Sequence, residues 1–184
     1  MFTERMFETP YIQNWLVRHI PEYSSPRILE IGNVSYQYFE RFPNTQMDVI
    51  DLYEHFEWVR NEDIRYYKAM PYDLIFSIST LEHVGENIEK EAYGIIDALL
   101  NTFTLLADGG RFIFTVPINY NKPMDMILNN VMVFDSVKFF KRISEDGWVE
   151  SNYEDTKDCI YGQPYIASND IRICEYSKCK IEAG

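Results

Sequence analysis

Hydrophobic and polar residues follow one another along this chain in blocks that predict short buried strands. After Pro26 an apolar run ends at Gly32 and Asn33, and similar runs cover residues 46–52 and 72–79. A fourth run at residues 111–117 ends at Pro117. Continuous short apolar runs that are bounded by turn residues are typical of strands buried on both faces. The pattern therefore predicts a mainly parallel sheet.

Helical spacing of apolar residues predicts two longer helices. Thr9 followed by Pro10 predicts the start of the first helix, which carries an apolar stripe and ends before Pro21. The second begins at Glu86, keeps a helical period through Leu106 and is expected to stop at Gly109-Gly110. The segment SYQYFERF at residues 35–42 predicts a short helix after the first strand.

The last third of the chain differs from this pattern. Residues 137–144, 146–151 and 169–177 are strand candidates without long helices between them, which predicts antiparallel strands at the end of the sheet. The brief segment DIRYY at residues 63–67 predicts a short edge strand. The expected fold class is α/β: a doubly wound, mainly parallel sheet with helices on both faces and antiparallel closing strands.

Composition and charge narrow the classes of partner. The chain has 184 residues, of which 46% are hydrophobic and 25% charged, the balance of a folded domain. A formal net charge of −12 disfavours nucleic acid, because phosphate binding needs clustered Lys and Arg. The chain shows no secretory signal and no apolar stretch near the ~18 residues of a membrane span. We therefore expect a soluble, cytoplasmic protein without a membrane partner; its oligomeric state is not predicted.

The cysteines do not predict a metal site. Cys159, Cys174 and Cys179 are odd in number and lack the four-ligand grouping of structural zinc. We expect reduced thiols and no bound metal.

Polar residues fall at the carboxyl ends of the predicted parallel strands, which share one rim in a doubly wound sheet. Asp51 lies nineteen residues after Gly32. An acidic residue at a spacing of roughly 20 can reach the ribose hydroxyls of an adenosine-containing cofactor. The strand-end set is Glu30, Gly32, Asn33, Asp51, Asp63, Ser79, Glu82 and His83.

Four segments, in this order, resemble the class I S-adenosylmethionine-dependent methyltransferases: ILEIGN at 28–33, DVIDL at 48–52, YDLIFSISTLEHVG at 72–85 and LLADGGRFIFTVP at 105–117. The resemblance covers residues 26–118 and implies S-adenosylmethionine as the cofactor. It implies a single domain over residues 1–184, with an N-terminal helical segment (1–25), a cofactor-binding core (26–118), and an acceptor side with closing strands (119–184).

The resemblance also implies roles for single residues. The methionine part of the cofactor would lie at Gly32 and Asn33, and Glu30 is grouped with these cofactor-binding residues. The ribose and adenine would lie at Asp51 and Leu52, the adenine edge at Asp63 and Ile64, and the sulfonium above Ser79. The alternative for Asp51 is a solvated strand-end carboxylate, and the alternative for Asp63 is a helix cap.

The acceptor side is less defined. His83 is the candidate general base, with Glu82 behind it, although a histidine that caps or packs at a helix start explains His83 too. Asn119 and Tyr120 follow the fifth strand and are expected to border the acceptor, or to form a polar turn before Pro123. The implied reaction is in-line methyl transfer to a small-molecule or glycan-type acceptor.

One departure from the family pattern leaves an alternative open. Family members carry Gly-x-Gly-x-Gly after the first strand, whereas this chain has Gly32-Asn33-Val34-Ser35-Tyr36. Val34 and Tyr36 add bulk where the cofactor would lie, so either the loop takes a different path or the site is impaired. An impaired site would make the protein a non-catalytic scaffold or partner subunit. A nicotinamide-dependent oxidoreductase is disfavoured because Gly-x-Gly-x-x-Gly is absent.

Overall fold

A mixed sheet of eight strands forms the centre of the computed structural model, which describes residues 3–40, 42–85, 94–130 and 133–180. The strands are β1 (Arg27–Ile31), β2 (Gln46–Ile50), β3 (Val59–Arg60), β4 (Tyr72–Ile78), β5 (Leu106–Pro117), β6 (Ser136–Arg142), β7 (Trp148–Ser151) and β8 (Asp170–Ser177). Their order across the sheet is β3-β2-β1-β4-β5-β8-β6-β7. The first five run parallel, whereas β8 pairs antiparallel with both β5 and β6, and β7 pairs antiparallel with β6. The predicted fold class is confirmed.

Helices cover both faces of this sheet. They are α1 (Arg5–His19), α2 (Gly94–Leu105), α3 (Lys122–Asn130) and α4 (Tyr153–Thr156). Side chains of one strand alternate between the faces: Ile28 packs in the cluster with α1, and its neighbour Leu29 in the cluster with α2. Trp15 of α1 and Ile95 of α2 are buried members of these two clusters.

The first helix begins earlier than its sequence pattern predicts. It starts at Arg5, so that Pro10 lies inside the helix, while the end before Pro21 is confirmed. Contacts outside the helix stabilise the additional turn: a Glu4 carboxylate oxygen accepts from the Ser168 backbone N–H at 3.1 Å, and Arg5 donates to the end of β4. Tertiary contacts therefore decide where this helix begins.

Two further predictions were wrong in detail. The edge strand is β3, whereas residues 63–67 form a turn in which the Tyr66 and Tyr67 N–H groups donate to the Asp63 carbonyl. The SYQYFERF segment contains only one 3-10 turn, Ser35–Gln37, within the residues described.

The paired glycines do not stop the second helix. That helix ends at Leu105, and Gly109 and Gly110 lie within β5. A Cβ on Gly110 would meet the Ala107 carbonyl oxygen at 2.9 Å, so glycine permits a close backbone approach inside the sheet. The predicted helical residues 86–93 lie outside the described residues.

Candidate functional site

A cleft of about 480 Å³ lies at the carboxyl ends of β1, β2 and β4. The predicted residues that line it are Gly32, Asn33, Asp51, Leu52, Asp63, Ile64, Ser79 and His83. They meet because the parallel strands end at one edge of the sheet, as the sequence predicts. Glu30, Glu82, Asn119 and Tyr120 are not part of the cleft lining.

Asp51 lines this cleft at the end of β2. Its Oδ1 accepts from the backbone N–H groups of Tyr53 and Glu54, both at 2.8 Å, and so fixes the chain that leaves β2. Its Oδ2 has no hydrogen-bond partner among the residues that the structure describes. A hydroxyl group of a ligand can therefore donate to Asp51 without displacing a protein contact.

The turn after β1 is held by a buried carboxylate. Glu30 Oε1 accepts from the backbone N–H groups of Val34 at 2.9 Å and Ser35 at 2.7 Å, and Glu30 Oε2 accepts from the Ser35 hydroxyl at 2.6 Å. Glu30 is thus turned toward the protein interior, and the structure does not place it in the predicted cofactor site. Gly32 has a φ of +93°, and a Cβ there would meet Thr80 Oγ1 at 2.2 Å, so glycine is required at this one position.

Asn33 and Tyr36 lie on different sides of this turn. The Asn33 amide lines the cleft, donates to Glu54 Oε2 at 2.7 Å and accepts from Trp58 Nε1 at 3.2 Å. The Tyr36 ring instead packs on Phe56, at a centroid distance of 5.4 Å, and lines a separate outer groove. Of the two bulky side chains that the sequence places near a cofactor, only Val34 borders the cleft.

Asp63 differs from Asp51 because its carboxylate is already paired. Arg65 Nε donates to both oxygens of Asp63, at 3.0 and 2.9 Å. Burial opposes ionisation, but the side-chain and backbone hydrogen bonds from Arg65 outweigh it and hold the pKa of Asp63 below its ordinary value. Ile64 is buried beside this pair and adds an apolar wall to the cleft.

The carboxyl end of β4 is fixed by the first turn of α1. Ser79 has a φ of +37°, donates its hydroxyl to Glu8 and donates its backbone N–H to the Thr115 carbonyl at 3.0 Å. Arg5 donates to the carbonyl oxygens of Ile78 and Ser79. Burial raises the pKa of the Glu8 carboxyl, although Arg5 acts against that change.

Arg5 and Glu8 were not expected in the site. Their signal in the sequence is the spacing of Arg5, Glu8, Thr9 and Ile12, which places all four on one face of a helix that starts at Arg5. The predicted helix start at Thr9 leaves Arg5 and Glu8 outside the helix, so the prediction does not show that they share a face with Thr9 and Ile12.

His83 lines one end of the cleft and lies close to two other predicted site residues, Tyr120 and Glu82. Its side chain is 48% exposed; Nδ1 lies 3.4 Å from the Tyr120 hydroxyl and Nε2 lies 4.0 Å from Glu82 Oε1. Glu82 is buried, and burial raises its pKa well above the ordinary value, while its Oε2 has no hydrogen-bond partner among the described residues. Glu82 therefore lies behind His83, on the protein side of the imidazole.

The two residues predicted to border the acceptor, Asn119 and Tyr120, make contacts in different parts of the structure. Tyr120 lies beside the cleft, with its ring 5.1 Å from His83 and 5.0 Å from Tyr161. Asn119 instead uses its side-chain amide to donate to the carbonyl oxygens of Lys157 and Cys159, each at 2.8 Å. The Asn119 side chain is therefore directed to residues 157–159, and Asn119 is not among the residues that line the cleft.

The described residues, 3–40, 42–85, 94–130 and 133–180, form neither a candidate metal site nor a candidate membrane-spanning helix. Within these ranges no group of three His, Cys, Asp or Glu side chains could hold a metal ion. No helix in the same ranges has the length and apolar character to cross a membrane. Cys159, Cys174 and Cys179 are free thiols, and burial raises the pKa of Cys174 to about 12.

Comparisons with known proteins identify the fold through structure alone. No protein-family model matches the sequence, and no curated protein matches it significantly. The solved structure of the N-methyltransferase NodS from Bradyrhizobium japonicum WM9, in complex with S-adenosyl-L-homocysteine, is similar with a TM-score of 0.56 and 14% identity, covering 92% of this chain and 86% of that chain.

Two further structures give the same result. A SAM-dependent methyltransferase from Archaeoglobus fulgidus has a TM-score of 0.52 and 15% identity, covering 95% of this chain and 97% of that chain. An S-adenosylmethionine-dependent methyltransferase from Clostridium acetobutylicum has a TM-score of 0.50 and 13% identity, covering 95% and 91%. This chain therefore has the fold of the class I methyltransferases, which confirms the fold that the four sequence segments imply.

Proposed function

We propose that this protein transfers a methyl group from S-adenosylmethionine to a small-molecule or glycan-type acceptor, and that it does so in the cytoplasm. The observation that carries this proposal is the position of Asp51, which lines the cleft at the end of β2 together with Gly32 and whose Oδ2 has no hydrogen-bond partner among the described residues. A carboxylate oxygen in this position accepts hydrogen bonds from a vicinal diol such as that of ribose.

The residues of the cleft fit the cofactor. A volume of about 480 Å³ lies within the range of small-molecule sites. Leu52 and Ile64 offer apolar contacts to an adenine ring, and Gly32 and Asn33 border the space left for the methionine part. Ser79 lies at the Gly32 end, near the position that the proposal gives to the sulfonium.

The chain's own contribution to catalysis is positioning and proton transfer. When bound, the cofactor supplies a methyl group already activated by the sulfonium. Alignment of two reactants by a protein contributes on the order of 7 to 11 kcal/mol. His83 accepts a proton when the acceptor atom carries one that must leave, and Tyr120, beside Nδ1, orients the imidazole. Glu82 stands behind Nε2 and limits the rotation of the ring.

The surroundings of His83 support a small, uncharged acceptor. The rings of His83, Tyr120 and Tyr161 form a row at the cleft end, and aromatic faces stack well on sugars and small rings. The net charge of −12 acts against phosphate-rich acceptors such as nucleic acids.

Calorimetry with S-adenosylhomocysteine tests the proposal. Asp51→Asn should weaken binding by about 1.5 to 3 kcal/mol, because a charge-assisted hydrogen bond is lost. Glu57→Gln is the matched control, since Glu57 is an exposed acid on the same loop that does not line the cleft. The control should bind like the wild type.

The outcomes separate the enzyme from the scaffold. Wild-type protein that shows neither heat nor a thermal shift with millimolar S-adenosylmethionine or S-adenosylhomocysteine contradicts the proposal and favours the non-catalytic scaffold. Binding that Asp51→Asn leaves unchanged places the ribose away from β2.

A further inference from the structure

Three exposed aromatic rings form a cluster outside the cleft, on the turn after β1 and the loop between β2 and β3. Tyr36 packs on Phe56 and Trp58 at centroid distances of 5.4 and 5.6 Å, and the last two rings stack at 4.8 Å. Each of the three residues nevertheless remains 40 to 43% exposed. Single exposed apolar side chains are ordinary on a soluble domain, whereas a cluster of them is typical of an interaction site. We call these three residues the aromatic cluster.

A groove of about 480 Å³ lies beside the aromatic cluster, on the face of the sheet that packs against α1. Tyr36 and Trp58 line it, and its further apolar lining residues are Phe39, Met47 and Val49. Connections between parallel strands usually carry a helix that covers the sheet. The connection from β1 to β2 has only one 3-10 turn among its described residues, which leaves this groove uncovered by a helix.

Acidic side chains accompany both parts of this surface. Residues 51–58 contain Asp51, Glu54 and Glu57 and no Lys or Arg, and Glu57 stands directly between two members of the aromatic cluster in the sequence. Glu40 lines the groove. Glu40 and Glu57 are exposed, and neither forms a hydrogen bond or an ion pair with another residue of the described ranges. The surface therefore favours a ligand with positive charge.

Elsewhere in this chain, two sites combine an aromatic ring with a carboxylate, and an arginine lies at both. The two sites are Arg27 with Tyr72 and Asp48, and Arg65 with Tyr66 and Asp63. The guanidinium carbon lies 4.6 Å from the ring centroid in the first and 5.3 Å in the second. Over residues 3–40, 42–85, 94–130 and 133–180, no Lys or Arg lies over a ring of the aromatic cluster. The cluster thus has rings and a carboxylate without the cation.

We propose that the aromatic cluster and the groove together bind a segment of a partner protein that carries arginine and apolar side chains. A planar guanidinium stacks on an aromatic face and also donates two hydrogen bonds to one carboxylate, which the ammonium of lysine cannot do. Glu57, next to Phe56 and Trp58, supplies this carboxylate. An apolar side chain of the same segment fills the groove over Met47 and Val49. Tyrosine and tryptophan are common anchors of protein interfaces.

This surface is separate from the cleft. None of the three rings lines the cleft, so the proposal holds whether or not the cofactor is bound. Trp58 is nevertheless connected to the cleft, because its indole N–H donates to Asn33 Oδ1 at 3.2 Å and Asn33 is a lining residue. Phe56 has no hydrogen-bonding side chain and is therefore the ring whose replacement tests the partner surface alone.

Binding of labelled octapeptides, measured by fluorescence anisotropy, tests the proposal. One peptide has four arginines and four leucines, a second has lysine in place of arginine, and a third has glutamine. We expect the arginine peptide to bind the wild-type protein about 3- to 10-fold more tightly than the lysine peptide, and the glutamine peptide not to bind. Phe56→Leu should weaken binding of the arginine peptide about 3- to 10-fold and that of the lysine peptide less than about 2-fold, because only the stacking contact is lost.

Matched variants separate this surface from the total charge of the protein. Glu57→Gln should weaken both charged peptides about 2- to 5-fold. Asp97→Asn removes an exposed acid of α2, on the other face of the sheet, and should weaken neither peptide. Tyr66→Leu removes an exposed ring that Arg65 already covers, and should also weaken neither. Phe56→Tyr keeps the ring and should bind like the wild type, which shows that the Phe56→Leu variant has lost a ring contact and not its fold.

Three results would overturn the proposal. Arginine and lysine peptides that bind equally, with no effect of Phe56→Leu, would show attraction by net charge alone. An arginine peptide that does not bind at millimolar concentration would remove this surface as a binding site. Wild-type protein that self-associates in sedimentation velocity, and that Phe56→Leu converts to a monomer, would assign the aromatic cluster to contact with a second copy of this chain.

Discussion

At the scale of single residues, a buried carboxylate, that of Glu30, holds the turn after β1. It accepts three hydrogen bonds from Val34 and Ser35. After Gly32 the turn needs no further positive φ, and Val34 itself has a φ of −96°. Side chains other than glycine can therefore follow, and Tyr36 can turn outward to Phe56 and Trp58.

Replacement of Glu30 should unfold this turn more readily. Glu30→Gln puts an amide NH₂ group among the three donors that now meet carboxylate oxygens. We expect the free energy of unfolding to fall by about 1.5 to 3 kcal/mol, measured by urea denaturation. Glu40→Gln, at an exposed position after the turn, is the control and should change stability by less than about 0.5 kcal/mol. Equal stability of the two variants would contradict the role of Glu30.

His83 gives the second prediction at this scale. Because its side chain is 48% exposed, His83→Ala should leave the melting temperature nearly unchanged. Methyl transfer should fall about 10²- to 10⁴-fold if His83 removes a proton from the acceptor. Transfer of radiolabelled methyl groups from S-adenosylmethionine to an extract of small metabolites measures this. A large fall in melting temperature with unchanged transfer would assign His83 to structure.

Which residues of the site could be predicted depended on what positions them. The carboxyl-end rule located Asp51 and His83, because the path of a strand fixes where its last residue lies. It could not show that Glu30 turns inward to the Val34 and Ser35 N–H groups or that Asn119 turns to the 157–159 carbonyls, because hydrogen bonds rather than the path of the strand decide the side-chain direction.

At the scale of elements, the apolar runs predicted β1, β2, β4 and β5, but local patterns failed wherever a distant element supplies the contact. The start of α1 depends on β4 and on Ser168. The edge strand β3 has only two residues, which is too short for any sequence period. Gly110 serves a close approach to the Tyr72 carbonyl rather than a helix end.

A buried aspartate with a raised pKa, Asp170, lies where the end of β5 meets the start of β8. Asp170 begins β8, and its Oδ1 accepts from the Ile118 N–H at 3.1 Å, just beyond the end of β5. Oδ2 has no hydrogen-bond partner among the residues described. Burial is the main cause that raises the pKa of Asp170 from 3.8 to about 7.

This acid should make stability depend on pH. The folded chain holds the Asp170 proton up to about pH 7, whereas the unfolded chain releases it near pH 4, so the folded state loses stability as pH rises between these values. Asp170→Asn should remove that loss: its unfolding free energy relative to wild type should increase by roughly 1 to 4 kcal/mol from pH 4.5 to pH 8. Urea titrations at both pH values measure it.

A control identifies the source of that change. Asp158→Asn removes an exposed acid and should follow the wild-type pH curve. Parallel curves for wild type and Asp170→Asn would contradict the assignment to Asp170.

At the scale of the whole molecule, the sequence predicted the layers and the class of sheet but not the order of its closing strands. Three antiparallel strands were expected after β5. That the last of them, β8, pairs directly with β5 follows from side chains on its two faces, such as Cys174 in the α2 cluster and Ile173 in the α1 cluster. Apolar runs show that a strand is buried; they do not show which strands flank it.

The position of β8 within the sheet also determines when the sheet can be completed during synthesis of the chain. The β6–β7 hairpin emerges from the ribosome before β8, yet among the described strands β8 is the one that connects this hairpin to the parallel part of the sheet. Until β8 is synthesised, the edges of β5 and β6 that pair with β8 in the sheet have unpaired backbone N–H and C=O groups. The Trp15 indole N–H, near the start of the chain, donates to Glu175 of that last strand at 3.2 Å. Completion of the sheet is therefore a late and long-range event, and the interval before it is when a nascent chain most needs protection from aggregation.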